Sequence, residues 1–386
     1  MKLYLFVLPV MLVAVLQASG CTATTSGVVP SGGTYISGSA GAHFDQSVTR
    51  TDDEEGAHIA SMFLGRAHRP AHTPGTIYVA AGSDGIVVSR DDGATWEVIA
   101  VPLRVSDVVA LVSGVIVVSG VDADGQGFVL RTIDDGKSWE TVLTVPVPVK
   151  QTSRGLFGQK NDAVPAVVIA ITEDPFRPDR IYAGTSLGGI LAGEQSAKTW
   201  RTINTLSEGF FSAASAQPSL VVRDIVASPH RQGELAVLTN RAQLWLINAE
   251  EQRKLLIKQN LDSDSQYGNS SVKRVLNVTF IPEFPDALFA GVNDGAVISR
   301  DQGVTWEQLK LPVDTVQQFN SSVVAVSPTN SARMFVGINS VVYRSEDGGV
   351  TWNTFTLGLK SHLITEILID PFNAAKVLLV TRRLAV

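Results

Sequence analysis

Cysteine, histidine and charge are all scarce in this chain. One cysteine, Cys21, among 386 residues excludes an internal disulfide, so an exported domain built from this sequence must be stabilised by packing. Asp, Glu, Lys and Arg together make up 18% and sum to a formal charge of -6. Nucleic-acid binding is driven by Lys and Arg neutralising phosphates, so this balance argues against a nucleic-acid partner. No apolar run reaches the about 20 residues that a membrane-spanning helix needs. No Ser–His–Asp order and no glycine-rich phosphate loop stands out. Hydrophobic residues, at 45%, are plentiful enough for a large core.

The first residues read as an export signal. Met1-Lys2 is followed by an uncharged run from Leu3 to Leu16 and then Gln17-Ala18-Ser19-Gly20-Cys21, which is the pattern of a secretory signal peptide over 1–20. Ala-Ser-Gly directly before the lone Cys resembles a bacterial lipobox, although Ala18 stands where that family usually has Leu. The resemblance implies lipidation of Cys21 and attachment to a membrane through the lipid. Residues 21–42, rich in Ser, Thr and Gly, read as a flexible tether, and 43–386 as the folded domain.

Within that domain one phrase returns four times. Ser89-Arg90-Asp91-Asp92-Gly93-Ala94-Thr95-Trp96 recurs at Thr132–Trp139, Ser299–Trp306 and Ser345–Trp352. The shared elements are Asp91, Gly93 and Trp96; Asp134, Gly136 and Trp139; Asp301, Gly303 and Trp306; and Asp347, Gly349 and Trp352. Each residue type suits a hairpin turn. Gly reaches positive φ without steric cost, Asp and the hydroxyls bond backbone N–H groups, and Trp offers a large apolar face. The phrase decays in a third unit, at Gly193–Trp200, and further in a fourth, where Leu255 takes the Trp place. Units of about 45 residues with four strand-like segments are the signature of propeller blades.

These turns resemble the Asp-box, or bacterial neuraminidase repeat, of β-propellers. The phrase Asp174-Pro175-Phe176-Arg177-Pro178-Asp179-Arg180-Ile181-Tyr182-Ala183-Gly184-Thr185 is similar to repeats in sortilin-like propellers, xyloglucanase-type glycoside hydrolases and photosystem II assembly factors. The resemblance implies an all-β, seven-bladed propeller with four-stranded antiparallel blades, six blades being the alternative. The last unit, from Leu363, has two strands and a possible third in Leu384-Ala385-Val386, so a strand within His43 to Arg50 is expected to complete it. An unclosed ring would leave open strand edges.

The same resemblance supplies no catalytic residue. Phe176-Arg177-Pro178 lacks the Ile of the sialidase Phe-Arg-Ile-Pro motif, and no carboxylate pair is singled out for glycoside hydrolysis. No cofactor or metal is expected. His68 and His72 have ligand-like spacing but lie in text that reads as a solvated loop, and Asp122–Gly127 reads as a strand connection. In propellers the blade-to-blade connections lie on the face opposite these turns. Three are long here: Pro146 to Val164, Leu206 to Ser219 and Gln259 to Val272. Their Phe157, Phe210, Phe211, Tyr267 and Arg154 form the candidate binding face for a protein partner. Glycan is the alternative ligand. Finally, counting five residues back from the turn prolines places Asp224, Asn277 and Glu366 at equivalent positions, as possible lining of a central channel.

Overall fold

The computed structural model describes residues 32–47, 64–145, 167–206, 220–249, 251–257, 273–312, 322–357 and 362–383. The first strands in chain order are β1 (Gly32–Ser37) and β2 (Asp45–Ser47). Blade one follows as β3 (Ala67–His68), β4 (Ile77–Ala80), β5 (Ile86–Ser89) and β6 (Glu97–Ile99). Blade two is β7 (Arg104–Ala110), β8 (Ile116–Val121), β9 (Gly127–Thr132) and β10 (Glu140–Thr144). Blade three is β11 (Val168–Asp174), β12 (Arg177–Thr185), β13 (Gly189–Glu194) and β14 (Thr199–Thr205). Blade four is β15 (Val222–Ala227), β16 (Leu235–Thr239), β17 (Leu244–Ile247) and β18 (Gln252–Leu255). Blade five is β19 (Val275–Phe280), β20 (Leu288–Val292), β21 (Gly295–Ser299) and β22 (Glu307–Gln308). Blade six is β23 (Ser322–Ser327), β24 (Asn330–Ile338), β25 (Val341–Ser345) and β26 (Asn353–Thr356). The seventh blade opens with β27 (His362–Ile369) and β28 (Val377–Arg383).

Seven antiparallel four-stranded sheets result, and the seventh joins both parts of the chain in the order β27-β28-β1-β2. The closing arrangement differs from the expected one. Two N-terminal strands enter the blade rather than one, with Tyr35 opposite Leu379 on β28 and also opposite Gln46 on β2. The ring therefore starts at Gly32, inside the stretch that reads as tether, while residues 384–386 lie outside the described residues.

A second finding sits between β1 and β2. Ser37-Gly38-Ser39-Ala40-Gly41-Ala42-His43-Phe44 makes the same turn as Ser89–Trp96. Gly41 N–H donates to Ser37 Oγ at 2.9 Å, as Gly93 N–H does to Ser89 Oγ at 2.7 Å. His43 N–H donates to Ser39 Oγ at 3.1 Å, where Thr95 N–H donates to Asp91 Oδ1 at 2.8 Å. Ala40 and Gly41 share the paired positive φ values, 54° and 81°, of Asp92 and Gly93 at 61° and 89°. Blade seven thus carries the turn with Ser in place of Asp and Phe in place of Trp. That substitution is why its text passes for linker.

The second and third strands of most blades are buried on both faces because neighbouring blades cover them. Ile77–Ala80, Leu235–Thr239 and Gly295–Ser299 are buried throughout, and they read as continuous apolar runs rather than alternating ones. Phe289 and Phe335, both fully buried, belong to cores shared by adjacent blades. Outer strands such as Glu140–Thr144 are polar and half-exposed, which discourages edge pairing.

Candidate functional site

The turns come first, because they hold most of the repeated carboxylates. In all four complete copies the Asp carboxylate is bonded within its own turn. Asp134 accepts from Ser138 N–H at 2.9 Å, Ser138 Oγ at 2.5 Å and Thr132 Oγ1 at 2.7 Å. Asp347 accepts from Thr351 N–H at 2.8 Å, Thr351 Oγ1 at 2.6 Å and Ser345 Oγ at 2.7 Å. Hydrogen bonds from Ser138 and Thr132 hold the Asp134 carboxyl down at about 2, and those from Thr351 and Ser345 do the same for Asp347. Asp91 and Asp301 are likewise lowered: at Asp91 burial works against the charge and the bonds from Thr95 prevail, and at Asp301 the bonds from Thr305 lead and outweigh a smaller effect of burial.

Glycine is required here for two reasons. Gly303 has φ +79°, and a Cβ built on it would sit 2.5 Å from Cδ1 of Leu255 in the preceding blade. Gly136 stands in the same relation to Ile99, at 2.2 Å. Leu255 is consequently the counterpart of Ile99, an outer-strand residue packing against the next turn, and not of a turn Trp. The Trp side chains seat differently: Trp96 is buried and donates to Ser47 Oγ at 2.7 Å, while Trp139 donates to Ala100 O at 3.1 Å, Trp306 to Gly303 O at 3.1 Å and Trp352 to Gly349 O at 3.0 Å.

A second group of carboxylates lies on the ring axis. The inner strands β3, β7, β11, β15, β19, β23 and β27 surround a cavity of ≈ 400 Å³, lined near their N-terminal ends by residues of all seven blades. Blade-to-blade connections lead into those ends, so the cavity opens on the face opposite the Asp turns. A β-bulge recurs there: Asp107, Ala170, Asp224, Asn277 and Glu366 each follow an extra residue in the inner strand. Gly65 is the extra residue in blade one, since Gly65 N–H bonds Ala80 O and Ala80 N–H bonds Arg66 O, which puts Arg66 at the same position.

Asp224, Asn277 and Glu366 are therefore brought together as the proline count predicts, and Arg66 and Asp107 join them. Arg66 reaches across the axis, with Nε 2.9 Å from Asp107 Oδ2 and Nη1 2.6 Å from Asp224 Oδ1. Burial opposes the Arg66 charge, yet Asp224, Asp107 and Glu366 outweigh it and raise its pKa. Burial pushes Asp107 up despite the pull of Arg66. The Glu366 carboxyl rises to about 8 through burial; Arg66 pulls it down, and Asp224 and Asp107 push it further up. Arg223 is lowered by burial and donates to Leu276 O. With Arg382 also on the lining, three arginines meet at the mouth of a chain whose net charge is negative.

Other residues singled out by the sequence fall elsewhere. Phe157, Phe210, Phe211, Tyr267 and Arg154 lie outside the described residues, as does Cys21. The ends of their connections, Val145, Leu206, Leu220 and Ile257, are buried at the channel-mouth side. His68 is not on a surface loop. It is part of β3, and its Nε2 lies 2.8 Å from Glu173 Oε1. Among the described residues no group of three His, Cys, Asp or Glu side chains could hold a metal ion. Asp122 accepts from Asp124 and Gln126 N–H at 3.0 and 2.8 Å in the turn between β8 and β9. Arg177 opens β12 beside Glu194, with Phe176 exposed in the preceding turn.

No protein-family model matches this chain, and no curated protein matches it. Among solved structures, YCF48 from Cyanidioschyzon merolae is 17% identical, with a TM-score of 0.59, over 83% of this chain and 94% of that one. YCF48 bound to D1 peptide is 17% identical with a TM-score of 0.55, over 84% and 92%. The GH74 xyloglucanase from Xanthomonas campestris gives 14% and 0.39, over 83% and 60%. At these identities the likeness to the two YCF48 structures is one of fold, over most of each chain.

Proposed function

We propose that this chain is an exported, lipid-anchored propeller that binds a protein partner at its channel mouth, as a scaffold or assembly factor of the cell envelope. The observation that carries the reading is the contrast between the two sets of polar residues. Asp residues of the turns are saturated by their own chain, whereas the axial cavity gathers Arg66, Arg223, Asp224 and Glu366 at the ends of the inner strands. An open polar cavity at the N-terminal ends of the inner strands suits recognition of an extended segment better than any other described part of the ring. The YCF48 propeller bound to D1 peptide offers a precedent of the same fold for a peptide ligand. Anchoring rests on the lipobox-like Ala18-Ser19-Gly20-Cys21.

A photo-cross-linker placed at Ser106 on the cavity lining, and in a separate variant at exposed Ile133 on the turn face, tests the reading in native membranes. A discrete protein adduct from position 106 and none from 133 is the expected result. A glycan array and a glycosidase screen run beside it; turnover or tight glycan binding without a protein adduct would overturn it. Palmitate labelling that persists in Cys21→Ser would remove the anchor from the account.

A further inference from the structure

The bulge position recurs around the ring, so its occupants can be compared with one another. In two blades it has a plain structural task. Asp107 Oδ2 accepts from Ile171 N–H of the next blade at 2.8 Å, and Asn277 Oδ1 accepts from Val324 N–H of the next blade at 3.0 Å. Each bond staples one inner strand to its neighbour. Asp224 and Glu366 occupy the same position, and among the described residues neither makes that staple. Asp224 is instead bonded by Ile225 N–H at 2.7 Å and by Arg66. Glu366 lines the cavity with no hydrogen bond to its carboxyl among the described residues.

The charges around Glu366 explain what it lacks. From β3, Arg66 is held by two aspartates, one on each side. From β7 and β15, Asp107 and Asp224 add negative charge. Arg223 turns its guanidinium to Leu276 O, and Arg382 on β28 lines the same cavity. Glu366 is thus a half-buried carboxyl facing an open cavity, drawn on by Arg66 and Arg223 only at longer range and with no ion pair or hydrogen bond to its carboxyl among the described residues. A cation from outside that reached this carboxyl would give it the close partner it lacks.

We propose that the channel mouth is a receptor for one cationic side chain, a lysine ammonium or arginine guanidinium presented by the partner, with Glu366 as its counter-ion. This rests on the protein-binding reading above and names the group that is recognised. No covalent step is involved. The cation pairs with the ionised carboxylate, and the proton that Glu366 carries at neutral pH leaves to solvent. The sign follows: with a free-state pKa of about 8, binding releases a proton below that pH and tightens as pH rises. Between pH 6.5 and 8.5 the affinity should increase roughly 20-fold, while the ligand ammonium, with a pKa near 10, stays charged.

The test uses the full chain and three small probes: n-butylammonium, n-butylguanidinium and n-butyrate, titrated by NMR or calorimetry. The expected result is saturable binding of the two cations at pH 8.5, about 20-fold weaker at pH 6.5, with proton release seen as a buffer-dependent heat. Glu366→Gln, which resembles the protonated side chain in shape, should melt no lower than the parent chain and lose cation binding. Tighter binding of butyrate, cation binding unchanged in Glu366→Gln, or no cation binding at pH 8.5 would each overturn the proposal. Loss of this cation preference alongside an intact cross-link at position 106 would sink this inference alone. Loss of the cross-link itself would sink the protein-binding reading beneath it.

Discussion

The turn face and the channel mouth use the same carboxylate chemistry to opposite ends. Asp134 and Asp347 sit at the surface, each wrapped by hydroxyl and amide donors a few residues away, and ionise more readily than usual. Asp107, Asp224 and Glu366 come from three different blades, share one arginine between two of them, and leave the third protonated near neutrality. Short-range bonding makes a turn that works in any blade, which is why it can be copied. Long-range convergence makes a place that exists once, on the axis, and only after the ring has closed. Repetition therefore marks the scaffold and its exceptions mark the site.

Removing the strut should show the contrast most strongly. Arg66→Met strands Asp107 and Asp224 as buried charges, and loss of one partner of such a pair costs about 3–5 kcal/mol. Chemical denaturation should read that loss, and Asp224→Asn added to Arg66→Met should recover part of it. A loss no larger than that of a surface substitution would mean that the axial network does not bind the ring together.

Gly303→Ala is the next largest. It forces an L side chain to φ +79° and a Cβ against Leu255, at a cost of about 1–3 kcal/mol. Blade three already accepts the exchange, since Ala197 stands at that position with φ 67°. A thermal melt of Ala197→Gly should accordingly rise.

Stability against pH separates the two regions by sign. The folded-state pKa of Glu366 lies above its ordinary value of 4.5, so the folded protein binds more protons than the unfolded chain between about 4.5 and 8. Its contribution falls as pH rises through that window and then levels. Asp134 and Asp347 are lowered, so their contribution is complete above the ordinary carboxylate range and is lost only as pH falls toward about 2. Glu366→Gln should flatten the melting profile between pH 5 and 8; an unchanged slope would contradict the assignment.

Smaller effects test whether the turns are interchangeable. Asp91→Ala removes bonds to Thr95 and Ser89 in an exposed loop, with an expected loss of about 1 kcal/mol by denaturation. Smallest of all, Ser39→Asp would restore the acidic acceptor in blade seven and should raise stability by a few tenths of a kcal/mol.

How much was legible in the sequence follows from the same contrast. The Asp turns could be read because all their partners lie within eight residues of text. Blade seven's turn could not, because Ser39 and Phe44 keep the geometry while discarding the two letters that identify it. On the axis, Asp224, Asn277 and Glu366 were found by their distance from Pro229, Pro282 and Pro371. Asp107 escaped because Leu111-Val112-Ser113-Gly114 turns without proline, and Arg66 because blade one has only a two-residue inner strand. A signal was available in both: a charged residue shortly before an apolar second strand, at the place where the other blades carry one. The pairing of Arg66 with residues 41 and 158 positions away has no local signature at all.

The central claim is that recognition happens at the channel mouth and the Asp turns only hold blades. Quantitative recovery of the position-106 cross-linked partner from native membranes tests it directly, comparing the parent chain with Thr365→Trp, which fills the mouth, and Asp134→Asn in a turn. Recovery should fall at least tenfold for Thr365→Trp and stay within twofold for Asp134→Asn, with both variants folded by circular dichroism. Full recovery with Thr365→Trp and loss with Asp134→Asn would contradict the account.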